Sequence, residues 1–423
     1  MRIFYPTKIK ERLRECAFSA VIGLGVLALA GGAKEAKAQE NLRYDIVRLK
    51  MPNVKDEGKS GRSYPYSINN HGEVIGMYCD ETSIYYRGEF DHNFLYDNGD
   101  MIRMSSLLGE CDSHCYGDTA DNHMVINDLK DVLHSKRASH ITYIYRIGEK
   151  WQFDVFAEDM SKAGAVGEKY HIYDGIHDIT QRGEWPDVNS PYPVTKYEAH
   201  AINDKFQIVG SILLGEESSS YPYFITYEEL AFLYGEFFWE PPYTRVILLE
   251  RPYYIDPLDG KKYYYNCHAS DINNNGKSVG WFGKETTPGV YSTHACIWDE
   301  NGSITQLDTP FHDSRAYAIN DNNEIVGYSY FGAVLGAVLY KDGRKINLND
   351  FLPENSELEH LIVANGINNK SQIIGYGSLH GSTKLPYGFL AIPIPLKEDL
   401  TGDGIVNLYD LAEFASRWLM TEP

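Results

Sequence analysis

Ile319-Asn320-Asp321-Asn322-Asn323-Glu324-Ile325-Val326-Gly327 is the stretch that decides the fold, because the chain carries six copies of it. The others begin at Ile68, Ile126, Ile202, Ile272 and Ile367, and all align without a gap. Each opens with Ile-Asn followed by Asn or Asp, passes through polar residues and ends in a short apolar run. Asn, Asp and Gly tolerate the positive φ of a tight turn, and β-branched residues favour the strands beside it, so each copy reads as a β-hairpin. Gly closes the phrase in five copies and His134 replaces it in the second. A position that admits no side chain implies close approach of another strand or blade.

A second apolar run, a turn and a further strand follow each phrase after a variable gap. Asn93-Phe94-Leu95-Tyr96 leads through Asn98-Gly99 to Met101-Ile102, Ala295-Cys296-Ile297-Trp298 through Asn301-Gly302 to Ile304, and Ala337-Val338-Leu339-Tyr340 through Asp342-Gly343 to Ile346. Asn-Gly and Asp-Gly between apolar runs are the strongest short-range hairpin signal. One unit is therefore four antiparallel strands. The last two intervals between phrases fit the roughly 40–50 residues of a propeller blade, and the longer earlier ones carry insertions. His177-Asp178-Ile179-Thr180 faintly echoes the phrase but stands too close to Ile202 for a blade of its own. The expected fold is all-β: a β-propeller of six four-stranded blades, with seven as the alternative, followed by a small loop-helix module. Tyr44–Leu49 is a spare strand at one end, and the last unit, ending at Tyr387–Ile392, lacks one at the other. Pairing the two would close the ring and remove an exposed edge.

The phrases and the strands after them resemble the HAF family of extracellular repeats, in which Ile-Asn-Asp-x-Gly-x-Val-Val-Gly precedes an Ala-Phe-Leu-Trp-like strand. The resemblance covers roughly residues 62–393. It implies a repeat architecture and export, and it names no ligand.

Residues 1–38 read as an export signal: Lys8, Lys10, Arg12 and Arg14 form a basic start, Ala17–Ala30 is apolar, and Ala36-Lys37-Ala38 is a small-x-small cleavage pattern. The mature chain is expected outside the cytoplasm, secreted or at the cell surface, with the periplasm as the alternative, and without a membrane anchor. With 39 basic and 59 acidic residues the net charge is -20, which disfavours nucleic acid and anionic membrane as partners. Five cysteines follow the signal, an odd number: Cys79, Cys111, Cys115, Cys267 and Cys296. The last two fall on the first and third strands of one blade, about 10 Å apart and beyond disulfide reach. Cys111 and Cys115 read as a loop disulfide or plain thiols in preference to metal ligands. Between Tyr221 and Tyr265 the chain is dense in aromatics. Such rings either pack loops onto the blades, the reading preferred here, or stack on sugar rings from the rim.

The domain plan is thus a signal over 1–38, a propeller over 39–395 and a calcium-binding segment over 396–423. In that segment Asp399, Thr401, Asp403, Gly404, Ile405, Asn407 and Asp410 lead into a stripe at Leu411, Phe414, Trp418 and Leu419, the spacing of an amphipathic helix. The loop resembles the calcium-binding repeat of a type I dockerin. Asp399, Thr401 and Asp403 take positions 1, 3 and 5, Ile405 offers its carbonyl at 7, Asn407 stands at 9 and Asp410 at 12, with Gly404 at the sharp turn. Thr401 supplies a neutral hydroxyl where dockerins usually carry Asn or Asp, and dockerins hold two such repeats where one is found here. The resemblance implies one Ca2+ and docking to a cohesin-like or other protein partner.

No Gly-x-Ser-x-Gly elbow, His-Glu-x-x-His helix or phosphate-cradling glycine loop occurs. The repeated asparagines recur once per unit, which suits turn-making better than chemistry. The leading functional expectation is a non-catalytic exported propeller presenting a binding surface for carbohydrate or protein. The rival is a carbohydrate-active enzyme, a glycoside hydrolase or lyase.

Overall fold

A computed structural model describes residues 42–394 apart from 51–61, 80–91, 105–121, 137–140, 154–158, 161–164, 167–190, 218–223, 237–243, 256–259, 309–312, 382–385 and breaks of one or two residues. Asp45–Ile392 is one compact unit. Of the second, Met1–Tyr44 with Pro393–Pro423, the described part includes an Ile394 N–H donating to the Arg43 carbonyl at 2.9 Å. The expected signal and calcium segments, Cys111 and Cys115 lie outside the described residues. No described helix is long and apolar enough to cross a membrane.

The fold is all-β. Strand β1 (Tyr44–Arg48) precedes five sets of four strands and one of three. The first sheet is β2 (Ser63–Ile68), β3 (Val74–Tyr78), β4 (His92–Asp97) and β5 (Asp100–Arg103). The second is β6 (Asn122–Ile126), β7 (Val132–Lys136), β8 (Ile141–Arg146) and β9 (Glu149–Phe153). A small hairpin, β10 (Asp159–Met160) with β11 (Ala165–Val166), falls in the insertion. The third sheet is β12 (Val194–Ile202), β13 (Ile208–Glu217), β14 (Phe224–Glu236) and β15 (Thr244–Leu248), and a hairpin of β16 (Tyr253–Ile255) and β17 (Lys262–Tyr264) follows it. The fourth is β18 (Asn266–Ile272), β19 (Ser278–Thr287), β20 (Val290–Trp298) and β21 (Ile304–Gln306). The fifth is β22 (Ser314–Ile319), β23 (Ile325–Phe331), β24 (Val334–Lys341) and β25 (Arg344–Asn347). In the sixth, β26 (Leu358–Ile367), β27 (Ile373–Leu379) and β28 (Tyr387–Pro393) are completed by β1. The Leu49 N–H donates to the Gly388 carbonyl at 2.9 Å, and Leu49 is fully buried. The spare strand does fill the vacancy; the first five sheets are antiparallel and ordered as the chain runs, and in the sixth β1 from the start of the chain takes the outer place beside β28.

Each phrase is the turn between the first two strands of its sheet. Its fifth residue is left-handed at Gly72 (φ 92°), Gly276 (φ 79°) and Asn323 (φ 60°), the residue types such a turn prefers, and also at Lys130 and Ser371. The first Asn does more than shape that turn. In Asn320, Oδ1 accepts the N–H groups of Asn322 and Glu324 at 3.0 and 2.9 Å, while Nδ2 donates to the Asn368 carbonyl of the next phrase at 3.0 Å. The same inter-sheet bond joins Asn69 to Asn127, Asn203 to Asn273, Asn273 to Asn320, and Asn368 back to Asn69. Residues of the first and sixth sheets thereby meet across the chain's two ends, and all six phrases line one central opening. The arrangement is propeller-like.

Apolar side chains fill the spaces between neighbouring sheets. Val279 and Ala295 of the fourth pack with Ala316, Ile319, Val338 and Tyr340 of the fifth. Val74, Phe94 and Tyr96 of the first pack with Ile374 and Leu390 of the sixth. A sheet covered on both faces needs continuous rather than alternating hydrophobicity, as in Val74–Tyr78, where every residue is buried. Cys79, Cys267 and Cys296 are buried, and burial pushes the Cys267 thiol up to about 12.

Of the two expected causes of the closing glycine, another strand or another blade, the structure shows the strand. A Cβ on Gly327 would lie 1.9 Å from the Arg315 carbonyl oxygen, which belongs to the adjacent strand of the same sheet. Gly76, Gly210, Gly280 and Gly375 meet the carbonyls of Tyr64, Glu198, His268 and Val363 in the same way. In all five sheets the first strand carries a register shift just beyond that carbonyl, whereas β6 and β7 pair without one and His134 replaces the glycine.

Candidate functional site

The register shifts build the site. A β-bulge leaves one residue unpaired and turns its side chain out of the regular alternation. The residues skipped are Tyr66, His200, Ser270, Tyr317 and Asn365, each two positions before the Ile of its phrase. All five line the opening inside the phrases, about 370 Å³. Four of them, His200, Ser270, Tyr317 and Asn365, also line a second cavity of about 440 Å³, so the two spaces share a waist. The second cavity adds Tyr64, His268 and Val363 from the first strands, with Trp281 and Tyr376, which follow closing glycines. The repeated residues make the frame, and the positions where the copies disagree face the space within it.

One wall is a stack of rings. His200 and His268 lie 4.2 Å apart between centroids, His268 and Trp281 4.0 Å, and the Arg315 guanidinium stands 4.6 Å from the Trp281 centroid. His200 Nδ1 donates to the Ala269 carbonyl at 2.6 Å, and His268 Nδ1 donates to Glu229 Oε1 at 2.7 Å. Ser211 Oγ donates to the same carboxylate oxygen at 2.8 Å. Burial, with the neighbouring His200 charge next, pulls His268 down to about 4, so at neutral pH the ring is uncharged and its Nε2 is an acceptor. Burial pushes Glu229 upward, but the bonds from His268 and Ser211 outweigh it and hold the carboxyl below its ordinary range.

The facing wall is phenolic. Tyr64 and Tyr376 pack at 5.2 Å between centroids, and Tyr317 stands edge-on to Trp281 at 5.8 Å. Burial raises all three hydroxyls, Tyr64 to about 12, so they remain protonated. At the waist, Ser270 Oγ and Asn365 Oδ1 are buried with no hydrogen-bond partner among the described residues. Buried polar atoms of this kind call for water or a ligand. The lining offers protonated hydroxyls on one side, a neutral imidazole acceptor on the other and two open polar atoms between, which suits a small polyhydroxylated molecule.

The metal residues expected from the sequence, Asp399, Thr401, Asp403, Ile405, Asn407 and Asp410, lie outside the described residues. Among the described residues no group of three or more His, Cys, Asp and Glu is placed to hold a metal ion. The sequence reading missed the bulge residues altogether. A signal was present: in a gapless alignment of the six phrases, the second position before the Ile reads Tyr66, Met124, His200, Ser270, Tyr317 and Asn365, polar or aromatic in most copies and the same in few.

No family model and no curated protein matches the chain. Among solved structures, a virginiamycin B lyase from Staphylococcus aureus is similar at 11% identity, over 83% of this chain and 100% of that one, with a TM-score of 0.41. The β-propeller domain of the Trilobed protease from Pyrococcus furiosus gives 11% identity, 78% and 97% coverage and a TM-score of 0.42. A gluconolactonase-like protein gives 8%, 83%, 97% and 0.34. Similarities of this size leave function open.

Proposed function

We propose that this chain is an exported carbohydrate-binding protein of the HAF repeat type, a closed six-bladed propeller whose axial cavity holds a sugar residue. One observation carries the reading: the bulge positions, which differ among copies that share the Ile-Asn opening, converge on a cavity where Ser270 Oγ and Asn365 Oδ1 have no partner among the described residues. The mature chain, residues 39–423, would be screened on a glycan array and hits titrated calorimetrically. Tyr317→Ala and Asn365→Ala should each weaken binding at least tenfold, while Val334→Ser on the exposed surface should not. Retained affinity in both cavity variants would place the ligand elsewhere.

A carbohydrate-active enzyme is the second reading, favoured by the Glu229-held His268 at the cavity wall. Turnover of a bound glycan, abolished in His268→Gln, would replace the first reading with this one. We also propose, from sequence alone, that Asp399, Thr401, Asp403, Ile405, Asn407 and Asp410 bind one Ca2+ and that the following helix docks on a cohesin-like or other protein. Calcium titration of the mature chain should show a binding event lost in Asp403→Ala; no calcium heat in the wild type would end that proposal.

A further inference from the structure

The hairpin of β16 and β17 takes no part in the cavity, yet it gathers a cluster of exposed rings. Tyr253, Tyr254, Tyr263 and Tyr264 are 40–53% exposed and Ile255 57%, so these four tyrosines keep part of their rings open to solvent. Cross-strand pairing sorts them onto two faces, Tyr254 with Tyr263 and Tyr253 with Tyr264. On the first face Tyr254 lies 5.3 Å from Tyr263 and 5.8 Å from Tyr265, within 18° and 28° of parallel, and Tyr265 continues the file onto Phe282 of the fourth sheet. The second face is braced by cations, with Lys262 4.3 Å from the Tyr253 centroid and Arg251 5.4 Å from that of Tyr264. Arg251 also ties the hairpin base down, donating from Nε to the Tyr265 carbonyl at 3.0 Å. The rings are therefore held in place before any ligand arrives, which lowers the ordering cost of binding.

Strand direction fixes where the hairpin stands. In each sheet the phrase turns one end, so the link into the next first strand lies at the opposite end. The hairpin is such a link and leads through Tyr265 into β18, whose His268 lines the second cavity. The platform and that cavity thus belong to the same end of the molecule. Phenol rings pair a flat apolar face with a hydroxyl, which matches a chain of sugar rings. The fixed cations Arg251 and Lys262 disfavour a hydrocarbon surface as occupant.

We infer that the Tyr254 and Tyr263 face of this hairpin is an outer subsite for the continuation of a glycan chain whose end unit occupies the axial cavity. This rests on the carbohydrate reading above. Monosaccharides and hexasaccharides of the cello-, xylo- and galacturonate series would be titrated into the mature chain. A hexasaccharide should bind at least tenfold more tightly than its monomer. Tyr254→Ala/Tyr263→Ala should erase that gain and leave monomer affinity unchanged, with Tyr263→Ala alone as the milder variant on the same face should the double change fail to fold. Equal affinity for monomer and hexamer, or a gain surviving in the folded variant, overturns the subsite and leaves the cavity reading standing. No binding by any saccharide removes both. A change of oligomeric state in the hairpin variant would assign the face to a second copy of the chain and overturn the inference.

Discussion

Replacing Asn320 tests whether the repeated asparagine ties neighbouring sheets together or merely shapes a turn. The residue is 4% exposed and its side chain makes four hydrogen bonds: two accepted from Asn322 and Glu324 N–H, two donated to Glu324 Oε2 and the Asn368 carbonyl. Asn320→Ala removes all four, but the losses differ. Residue 322 is exposed, so water repairs its N–H; the Asn368 carbonyl keeps its bond from Ser371 N–H, and Glu324 Oε2 keeps Ser371 Oγ at 2.6 Å. The Glu324 N–H is left buried and unsatisfied, at about 1–3 kcal/mol, and the two bonds that Nδ2 donates lose about 1 kcal/mol each, so the total comes to roughly 3–5 kcal/mol. Asn322→Ala, which loses one exposed bond to the Asn369 carbonyl, should cost about 0.5 kcal/mol. Asn320→Asp separates the two roles. It keeps the oxygen that accepts from the turn and sets a second carboxylate oxygen against Glu324. The damage should match that of Asn320→Ala at pH 8 and shrink on acidification, as the new carboxyl, its pKa raised by the like charge, takes up a proton. Urea unfolding of the mature chain followed by tryptophan fluorescence would report each change as a shift in midpoint at unchanged slope. A midpoint for Asn320→Ala no lower than that of Asn322→Ala would refute the inter-sheet role.

Gly327→Ala should cost about 1–3 kcal/mol, the overpacking range, since its Cβ would meet the Arg315 carbonyl; thermal unfolding equal to wild type would contradict the bulge account. Ser329 is fully buried and donates to Asp308, so Ser329→Val should also lower the melting temperature. Deleting residues 39–52 should lower it further and make the protein elute as aggregate, because β28 loses β1 and Leu49 leaves the core; an unchanged melt and elution would show that β1 is dispensable. Finally, His268 titrates near 4 when folded against 6.5 when exposed, so the unfolded chain takes up the proton first as pH falls. Stability from this residue is complete above about pH 6.5 and fades between there and pH 4, by on the order of 3 kcal/mol at about 1.4 kcal/mol per unit. His268→Gln should flatten that part of the stability profile, and an unchanged slope would count against a neutral imidazole in the folded protein.

The sequence by itself determined the unit and its number among the described sheets. Turn residues and β-branched runs act locally, so Ile-Asn followed by Asn or Asp, the Asn-Gly turns and the spare strand at Tyr44 were enough to give four-stranded sheets and their closure by β1. Only the tertiary structure decided what those residues contact. The Nδ2 of Asn320 reaches a carbonyl in another repeat, and no pattern within one repeat encodes that partner. Gly327 is required by a carbonyl on its own neighbouring strand, through a bulge that periodicity alone does not reveal. The site lies furthest from sequence logic. Tyr64 and Tyr376 pack together from opposite ends of the chain, and His200, Ser270, Tyr317 and Asn365 meet at one waist because the propeller-like arrangement sets the same position of several repeats around one opening. Spacing along the chain carries no record of distance across that opening.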